Sequence, residues 1–397
     1  MTAPKLLIVT TTGETLATIL TRQPAFLSQL MDVELATSPG PEHEEIRLRE
    51  KVPLHSVPMA RGITPFRDLV SLVRMIVLLW QIRPDIVHSY TPKAGLIAML
   101  ASWFCRVPVR IHTFTGLIFP TQKGWKQKLL IWADRLVCAC ATRVVPEGQG
   151  VRRDLERWRI TSKPLEVIGH GNIAGVDTSH FSVDAPGVQL EARKLARTLK
   201  LPNNAFIYCF VGRLNRDKGI AELLESFKQL PETAHLILVG SLDETAPIGA
   251  LQQAFIEEHP RVHALGFLRD VRPALYLCDV FVLPSYREGF PNAVLQAGAM
   301  QRPVVATNIN GSNEIVVPGV TGWLVPPRQT ASLRKAMEAA MQSPRTLLDD
   351  MGVRARTVVA QHFEQRQHWQ RMADFYRKEL PTASSAPITV AGTQDRP

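Results

Sequence analysis

Two separate domains, each a doubly wound parallel α/β sheet, are predicted from three features of this sequence. Short apolar runs alternate with helix-period segments along nearly the whole chain, the pattern of successive βαβ units. The alternation pauses once, at residues 169–187, which are rich in Gly, Asp, Ser and Pro, and then restarts. The length of 397 residues also suits two domains better than one.

Residues 5–10 read as the first strand, followed by a polar turn with Gly13 and a helical stretch near 16–30. Further strands are expected at 32–38, 52–58, 84–90, 107–113, 142–146 and 165–169, with helices at 65–81, 94–105, 125–138 and 149–158. In the second half, strands at 206–212, 235–240, 262–267, 280–284, 303–307 and 322–326 alternate with helices at 219–229, 247–258, 271–278, 292–300, 330–341 and 345–362. The division is 1–170 for a first Rossmann-like domain, 171–187 for a linker, 188–362 for a second, 363–380 for a last helix, and 381–397 for a polar tail expected to be disordered. In such sheets ligands sit at the carboxyl ends of the strands.

Composition narrows the function. Hydrophobic residues at 45% against 21% charged exclude a disordered chain. No apolar run reaches the roughly 18–20 residues of a membrane-spanning helix, and the first residues do not read as a signal peptide. Cys105, Cys138, Cys140, Cys209 and Cys278 sit in apolar surroundings without a C-x-x-C, as core thiols of a reducing compartment do. The net charge of +10 is uneven: residues 1–170 hold 22 Lys and Arg against 14 Asp and Glu, the remainder 24 against 22. A basic first half suggests an anionic partner, either a phosphorylated ligand or an anionic membrane. Nucleic acid is disfavoured, since aromatics are 7% and no recognition motif is present.

Two segments carry chemistry. In the first, residues 210–219, a strand ends at Gly212 and a helix begins near Gly219, with Arg213 and Lys218 on the loop between. Two such cations can clamp a diphosphate, Arg as a planar fork and Lys as a point charge; an ordinary charged loop is the alternative. In the second, residues 284–297, a strand runs into Glu288-Gly289-Phe290-Pro291 and then a helix opening at Asn292. Turn amides and a helix N-terminus suit anionic oxygens. The Glu288 carboxylate suits two neighbouring sugar hydroxyls, and the Gln296 amide a ribose; a capped helix with a solvated Glu is the alternative.

These motifs, in this order, resemble glycosyltransferase family 4. Its second domain carries G-R-x-x-x-x-K-G, a strand ending in Gly, E-G-F-(G/P) with a second Glu eight residues on, P-V-V-A-T and G-x-L-V-P. Here they stand at 212–219, 239–240, 288–291, 303–307 and 322–326, with Gln296 in place of the second Glu. The segments 84–95, 110–116 and 168–177 resemble the bacterial subgroup that builds capsule, O-antigen and exopolysaccharide on a polyprenyl-diphosphate carrier.

The resemblance implies a GT-B fold: two Rossmann-like domains facing across a cleft, with a last helix crossing back to the first. It implies a retaining glycosyltransferase using a nucleotide sugar, most simply a UDP-sugar. No metal or other cofactor is expected, since the chain has no Asp-x-Asp and no His/Asp/Glu cluster with ligand spacing. The donor's diphosphate falls to Arg213, Lys218 and the amides after Pro291, its sugar hydroxyls to Glu288 and its ribose to Gln296. His112 matches the family's histidine near the reacting sugar, with a satisfied core histidine as the alternative. His88 is a candidate on the acceptor side, with a structural hydrogen-bonding role as the equal alternative; Lys93, in a loop opening a helix, is a candidate for an acceptor phosphate, with no ligand role as the equal alternative; and Gly13 could let backbone approach the donor. His170, Asp177 and Asp270 read as structural, Asp270 as a helix cap. A soluble acceptor and a GT-B epimerase are the rival functions.

The helix near 125–138 adds a membrane expectation. Lys123, Lys126 and Lys128 cluster at its start, while Trp125, Leu129, Trp132 and Leu136 share one face. The helix at 65–81 adds Arg67, Arg74 and Trp80. The expected placement is peripheral, at the inner face of the plasma membrane; simple packing of both helices on the sheet is the alternative.

Overall fold

The computed structural model describes residues 3–60, 62, 64–243 and 246–380; the tail expected at 381–397 lies outside them. Among the described residues two compact units are present, the first drawn from residues 3–147, 152–168 and 368–380, and the second from 148–151 and 169–367.

The first unit is built on strands β1 (Lys5–Val9), β2 (Asp32–Thr37), β3 (Leu54–Ser56), β4 (Ile86–Ser89), β5 (Val109–Phe114) and β6 (Arg143–Pro146), in the order β3-β2-β1-β4-β5-β6. The second contains β7 (Phe206–Val211), β8 (Ala234–Val239), β9 (Val262–Ala264), β10 (Val280–Leu283), β11 (Val304–Thr307) and β12 (Gly322–Val325), in the order β12-β11-β10-β7-β8-β9. Every ladder is parallel. The central strands are covered on both faces, so they read as unbroken apolar runs rather than alternations: Leu6–Val9 and all of β8 and β10 are buried. All five cysteines are free, and all but Cys105 are buried.

In each sheet the strand order reverses once, between β1 and β4 and between β7 and β10. At such a point neighbouring loops diverge and leave a crevice beyond the strand ends. In the second unit the two loops at this crevice are the two motif segments.

Several elements differ from expectation. The stretch at 16–30 is two short helices, Gly13–Thr18 and Gln23–Leu27, separated by Arg22 in the left-handed conformation (φ 64°). Pro24 lacks the N–H that would continue the first helix and instead occupies the opening turn of the second. Residues 165–169 form no strand, only an isolated bridge from Leu165 to Val144. Helices His43–Glu50, Val188–Thr198 and Ser312–Ile315 were not anticipated; each fully buries only two side chains, although Val188, Ala192 and Leu195 of the second do share one apolar face.

The final helix starts at Gln365, not 363, since Phe363 is held by a bond from Val176 N to its carbonyl (2.8 Å). From His368 onward this helix packs in the first unit: Trp369 against Phe26 and Tyr376 against His88.

Candidate functional site

The β7 loop is ordered by its own side chains. Asn215 Oδ1 accepts from the Lys218 amide (3.0 Å) and caps a turn of 3-10 helix, Arg216–Lys218. Gly219 then turns left-handed (φ 70°), and a Cβ here would lie 2.1 Å from the Pro284 carbonyl oxygen. Only glycine permits this close approach of the β7 loop to the β10 loop.

Three contacts bind the loops together. Tyr286 N donates to Asp217 O (2.8 Å), the Arg287 guanidinium meets Asp217 (3.2 Å), and Lys218 Nζ meets Glu288 Oε1 (2.6 Å). Tyr286 is fixed further by donation from its hydroxyl to the Glu222 carboxylate (2.6 Å) and by the Arg328 guanidinium 4.6 Å above its ring. Lys218 and Glu288, 70 residues apart, therefore meet at the switch point.

Arg213 points to a different partner, Asp243 in the turn after β8 (2.6 Å). The Asp243 side chain is only 7% exposed and also accepts from Asn215 Nδ2 (3.0 Å). The carboxylate thus orients Arg213 directly and the Lys218 turn through Asn215. Asp243, Asn215, Tyr286 and Glu222 were missed in the sequence. Asp243 alone left a signal, an acid just past a strand ending in Gly240; the others act through contacts that sequence spacing does not contain.

The remaining donor-side candidates gather at the same strand ends but differ in what they expose. Gly289 lies in the turn between Glu288 and Phe290. Phe290 is buried against Phe363 (ring centroids 5.3 Å apart), so only its backbone is left to meet a ligand. Pro291 precedes the helix Asn292–Ala299, whose first amides have no intrahelical acceptor. The Asn292 side chain is already engaged by Asn172 Nδ2 (2.6 Å). Gln296 is half-buried in that helix.

In the first unit, His88 corrects the expectation of an acceptor contact. It is fully buried, with Nδ1 on the Tyr376 hydroxyl and Nε2 on Thr113 Oγ1, both at 2.7 Å, and its ring stacks on Tyr90. Both nitrogens are used, and burial holds its pKa well below the usual histidine range. It is a core histidine.

His112, two residues before the end of β5, is also buried and bonds Ser89 Oγ through Nδ1 (2.8 Å). Its ring lies across Gly95, where a Cβ would come within 2.4 Å. Desolvation lowers its pKa to about 3, so the ring is neutral at neutral pH and available for hydrogen bonding rather than charge.

Lys93 is paired with Asp68 (2.6 Å) and nearly buried, which takes it out of the free cations expected to meet an acceptor phosphate. Gly13 is buried at the start of a six-residue helix beside the Glu42 side chain, after β1 at the first unit's switch point. Lys123, Lys126 and Lys128 are exposed. Asp270, expected as a helix cap, lies one residue before the N-cap Val271, with its Oδ1 accepting from the Arg272 amide (3.0 Å). Among the described residues no three His, Cys, Asp or Glu side chains gather in a way that could hold a metal ion.

Comparison with known proteins supplies the context for this geometry. The family described as glycosyl transferase 4-like domain matches residues 24–171, and that described as glycosyl transferases group 1 matches residues 205–343. The capsular polysaccharide biosynthesis glycosyltransferase CapM of Staphylococcus aureus is 30% identical over 354 residues, 88% of this chain and 90% of that protein. An Escherichia coli UDP-Gal:alpha-D-GlcNAc-diphosphoundecaprenol alpha-1,3-galactosyltransferase is 28% identical over 274 residues, 67% of this chain and 69% of that one. Among solved structures, HepE of Anabaena in complex with UDP-glucose superposes with a TM-score of 0.79 at 20% identity, over 94% of this chain and 99% of that one.

Proposed function

Because this chain belongs to glycosyltransferase family 4 and has the GT-B fold, we propose that it moves a sugar from a UDP-sugar, with retention at the anomeric carbon, to a polyprenyl-diphosphate-linked saccharide. The observation that carries this reading is the meeting of Lys218 and Glu288, with Arg213 nearby, at the β7/β10 switch point. Cations that hold a diphosphate and a carboxylate that holds sugar hydroxyls are there placed for the two halves of one donor.

Lys218 need not leave Glu288 to bind phosphate, since an ammonium has three N–H donors. One can stay on the carboxylate while the others turn to the diphosphate. Arg213 and the opening amides of the helix Asn292–Ala299 take further phosphate oxygens, and Gln296 takes the ribose.

In the transfer, the bond from the anomeric carbon to the diphosphate oxygen breaks as the acceptor oxygen bonds the same face. The acceptor's proton passes to the departing phosphate oxygen, giving UDP and the lengthened glycoside. The protein's part is to orient both substrates and stabilise the charge growing on the diphosphate. Neutral His112 serves as a hydrogen-bonding group near the sugar. The CapM and E. coli relatives, by their names, support a surface-polysaccharide role and a lipid-linked acceptor. A lipid-linked acceptor places the protein peripherally at the inner face of the plasma membrane.

The test is UDP release from UDP-sugars, with GDP- and ADP-sugars as comparisons, against polyprenyl-diphosphate and soluble saccharides. Transfer is expected with a UDP-sugar and the lipid-linked acceptor, and undiminished in EDTA. Arg213→Ala, Lys218→Ala and Glu288→Ala should each lower kcat by about 10²–10³. Folded variants with normal rates would remove these residues from the mechanism. UDP release with soluble saccharides alone would replace the proposed acceptor.

A further inference from the structure

The helix Pro65–Ile82 is apolar on two opposite faces. Ser71, Met75, Leu78, Leu79 and Ile82 are buried within the first unit. On the other side Phe66, Leu69, Val70, Val73, Val77 and Trp80 are exposed, Phe66 at 89% and Trp80 at 60%. At the helical repeat these six fall within an arc of roughly 100°. A helix whose inner face is already covered ordinarily turns polar side chains to water; this one presents a second apolar row.

Two neighbouring helices add further exposed aromatic side chains. Pro92–Phe104 runs alongside, held at its start by Lys93 on Asp68 (2.6 Å) and at its end by Cys105 Sγ near Ile76 O (3.9 Å). Its last residues, Trp103 and Phe104, are more than half exposed. Gly124–Cys140 packs against Pro92–Phe104 in turn and exposes Trp125 and Trp132.

The exposed charges carried by the three helices themselves are cationic. Arg67, Arg74, Arg83 and Arg106 are exposed on or at the ends of the first two helices, and Lys123, Lys126 and Lys128 at the third. The acids on the three helices are Asp68 and Asp134, both half-buried. Asp68 is paired with Lys93, and burial pushes the Asp134 carboxyl up to about 7.

We propose that this three-helix face docks the protein on an anionic bilayer. The Phe66–Trp80 row enters the boundary between headgroups and acyl chains, and the cations meet lipid phosphates. The inference rests on the peripheral placement argued above and deepens it: the apolar row of Pro65–Ile82 is the main anchor, and the Lys123–Lys128 cluster assists. Charge decides between occupants. A second copy of this chain would bring the same cationic rim against this one, since a two-fold contact pairs like surfaces, whereas lipid phosphates complement it.

The experiment is co-sedimentation of the full chain with phosphatidylglycerol–phosphatidylcholine vesicles, compared with phosphatidylcholine alone. Wild type should bind the anionic vesicles preferentially and lose binding with added salt. Phe66→Ser/Val73→Ser/Trp80→Ser changes only exposed positions and should weaken binding by about tenfold or more. Lys123→Glu/Lys126→Glu/Lys128→Glu should weaken it by at least about fivefold for each cation lost and remove most of the salt dependence. Circular dichroism checks that both variants fold.

Unchanged vesicle binding by the serine variant overturns the proposal. So does a lipid-free dimer that the serine variant dissociates, which would assign the face to a second copy. UDP release is measured in parallel. Vesicle binding without any sugar transfer would sink the transferase reading and leave the docking face standing; transfer with no vesicle binding would do the reverse.

Discussion

Replacing Asp243 with alanine tests whether one buried carboxylate organises the donor-side cations. The substitution removes the acceptor of both Arg213 Nη1 (2.6 Å) and Asn215 Nδ2 (3.0 Å), and Asn215 in turn caps the Lys218 turn. The pair with Arg213 contributes little to stability, about 0–1 kcal/mol, because the Arg213 side chain is 54% exposed. Leaving the buried Asn215 amide without its acceptor costs more, about 1–3 kcal/mol, so the urea midpoint should fall by an amount set mainly by Asn215.

The catalytic effect has a different origin. A freed arginine regains about 2 kcal/mol of rotamer entropy, which bounds the loss in kcat/KM at roughly 30-fold. Arg213→Ala should cost about 3–4 kcal/mol. The decisive assay is a double-mutant cycle on initial rates of UDP release. If Asp243 acts mainly through Arg213, Asp243→Ala should cost several-fold less kcat/KM in the Arg213→Ala background than in wild type, the remainder coming through Asn215 and the Lys218 turn. Losses that add in full would refute the reasoning, as would an Asp243→Ala enzyme with wild-type donor KM and rate.

Other expectations follow from single features. Gly219→Ala places a Cβ against the Pro284 carbonyl in a left-handed backbone and should cost about 3 kcal/mol or more while weakening donor binding; a wild-type urea midpoint would contradict it. Burial holds His88 and His112 neutral, His112 down to about 3, so the unfolded chain takes up protons first as pH falls. Stability should be full above about pH 6.5 and decline toward about pH 3 by about 1.4 kcal/mol per unit for each ring, and a His112→Gln variant with an unchanged acid slope would exclude that ring. Asp134 has the opposite sign: its raised pKa of about 7 means the folded state keeps a proton the unfolded chain has released. Its contribution is full below about pH 4 and lost as pH rises through about 7. Asp134→Asn should therefore stabilise the protein by about 1–3 kcal/mol more at about pH 8 than at about pH 5, measured by urea titration.

The alternation of buried strands with helices was legible because a parallel strand covered on both faces must be apolar throughout, as β8 and β10 are. The two donor-side segments were legible because the residues of each loop are consecutive. Elements with little buried surface were not, as His43–Glu50 shows with only Ile46 and Glu50 inside. Spacing marked Asp243 only as an acid past Gly240 and Tyr286 not at all, because their roles lie in contacts with residues 30 and 64 positions away.

Histidines mark the boundary most sharply. By itself the sequence determined that His88 and His112 lie near the ends of adjacent strands, because hydrophobic patterning is local and sets where a strand ends. Only the tertiary structure decided their fates. A hydroxyl 288 residues away, on Tyr376, satisfies His88 and seals it in the core, while a missing side chain at Gly95 makes room for the His112 ring. The same holds for the helix Pro65–Ile82. Its sequence is rich in apolar residues on two sides, but only the packing of one face inside the first unit shows which row is left over, and among the described residues nothing covers that row.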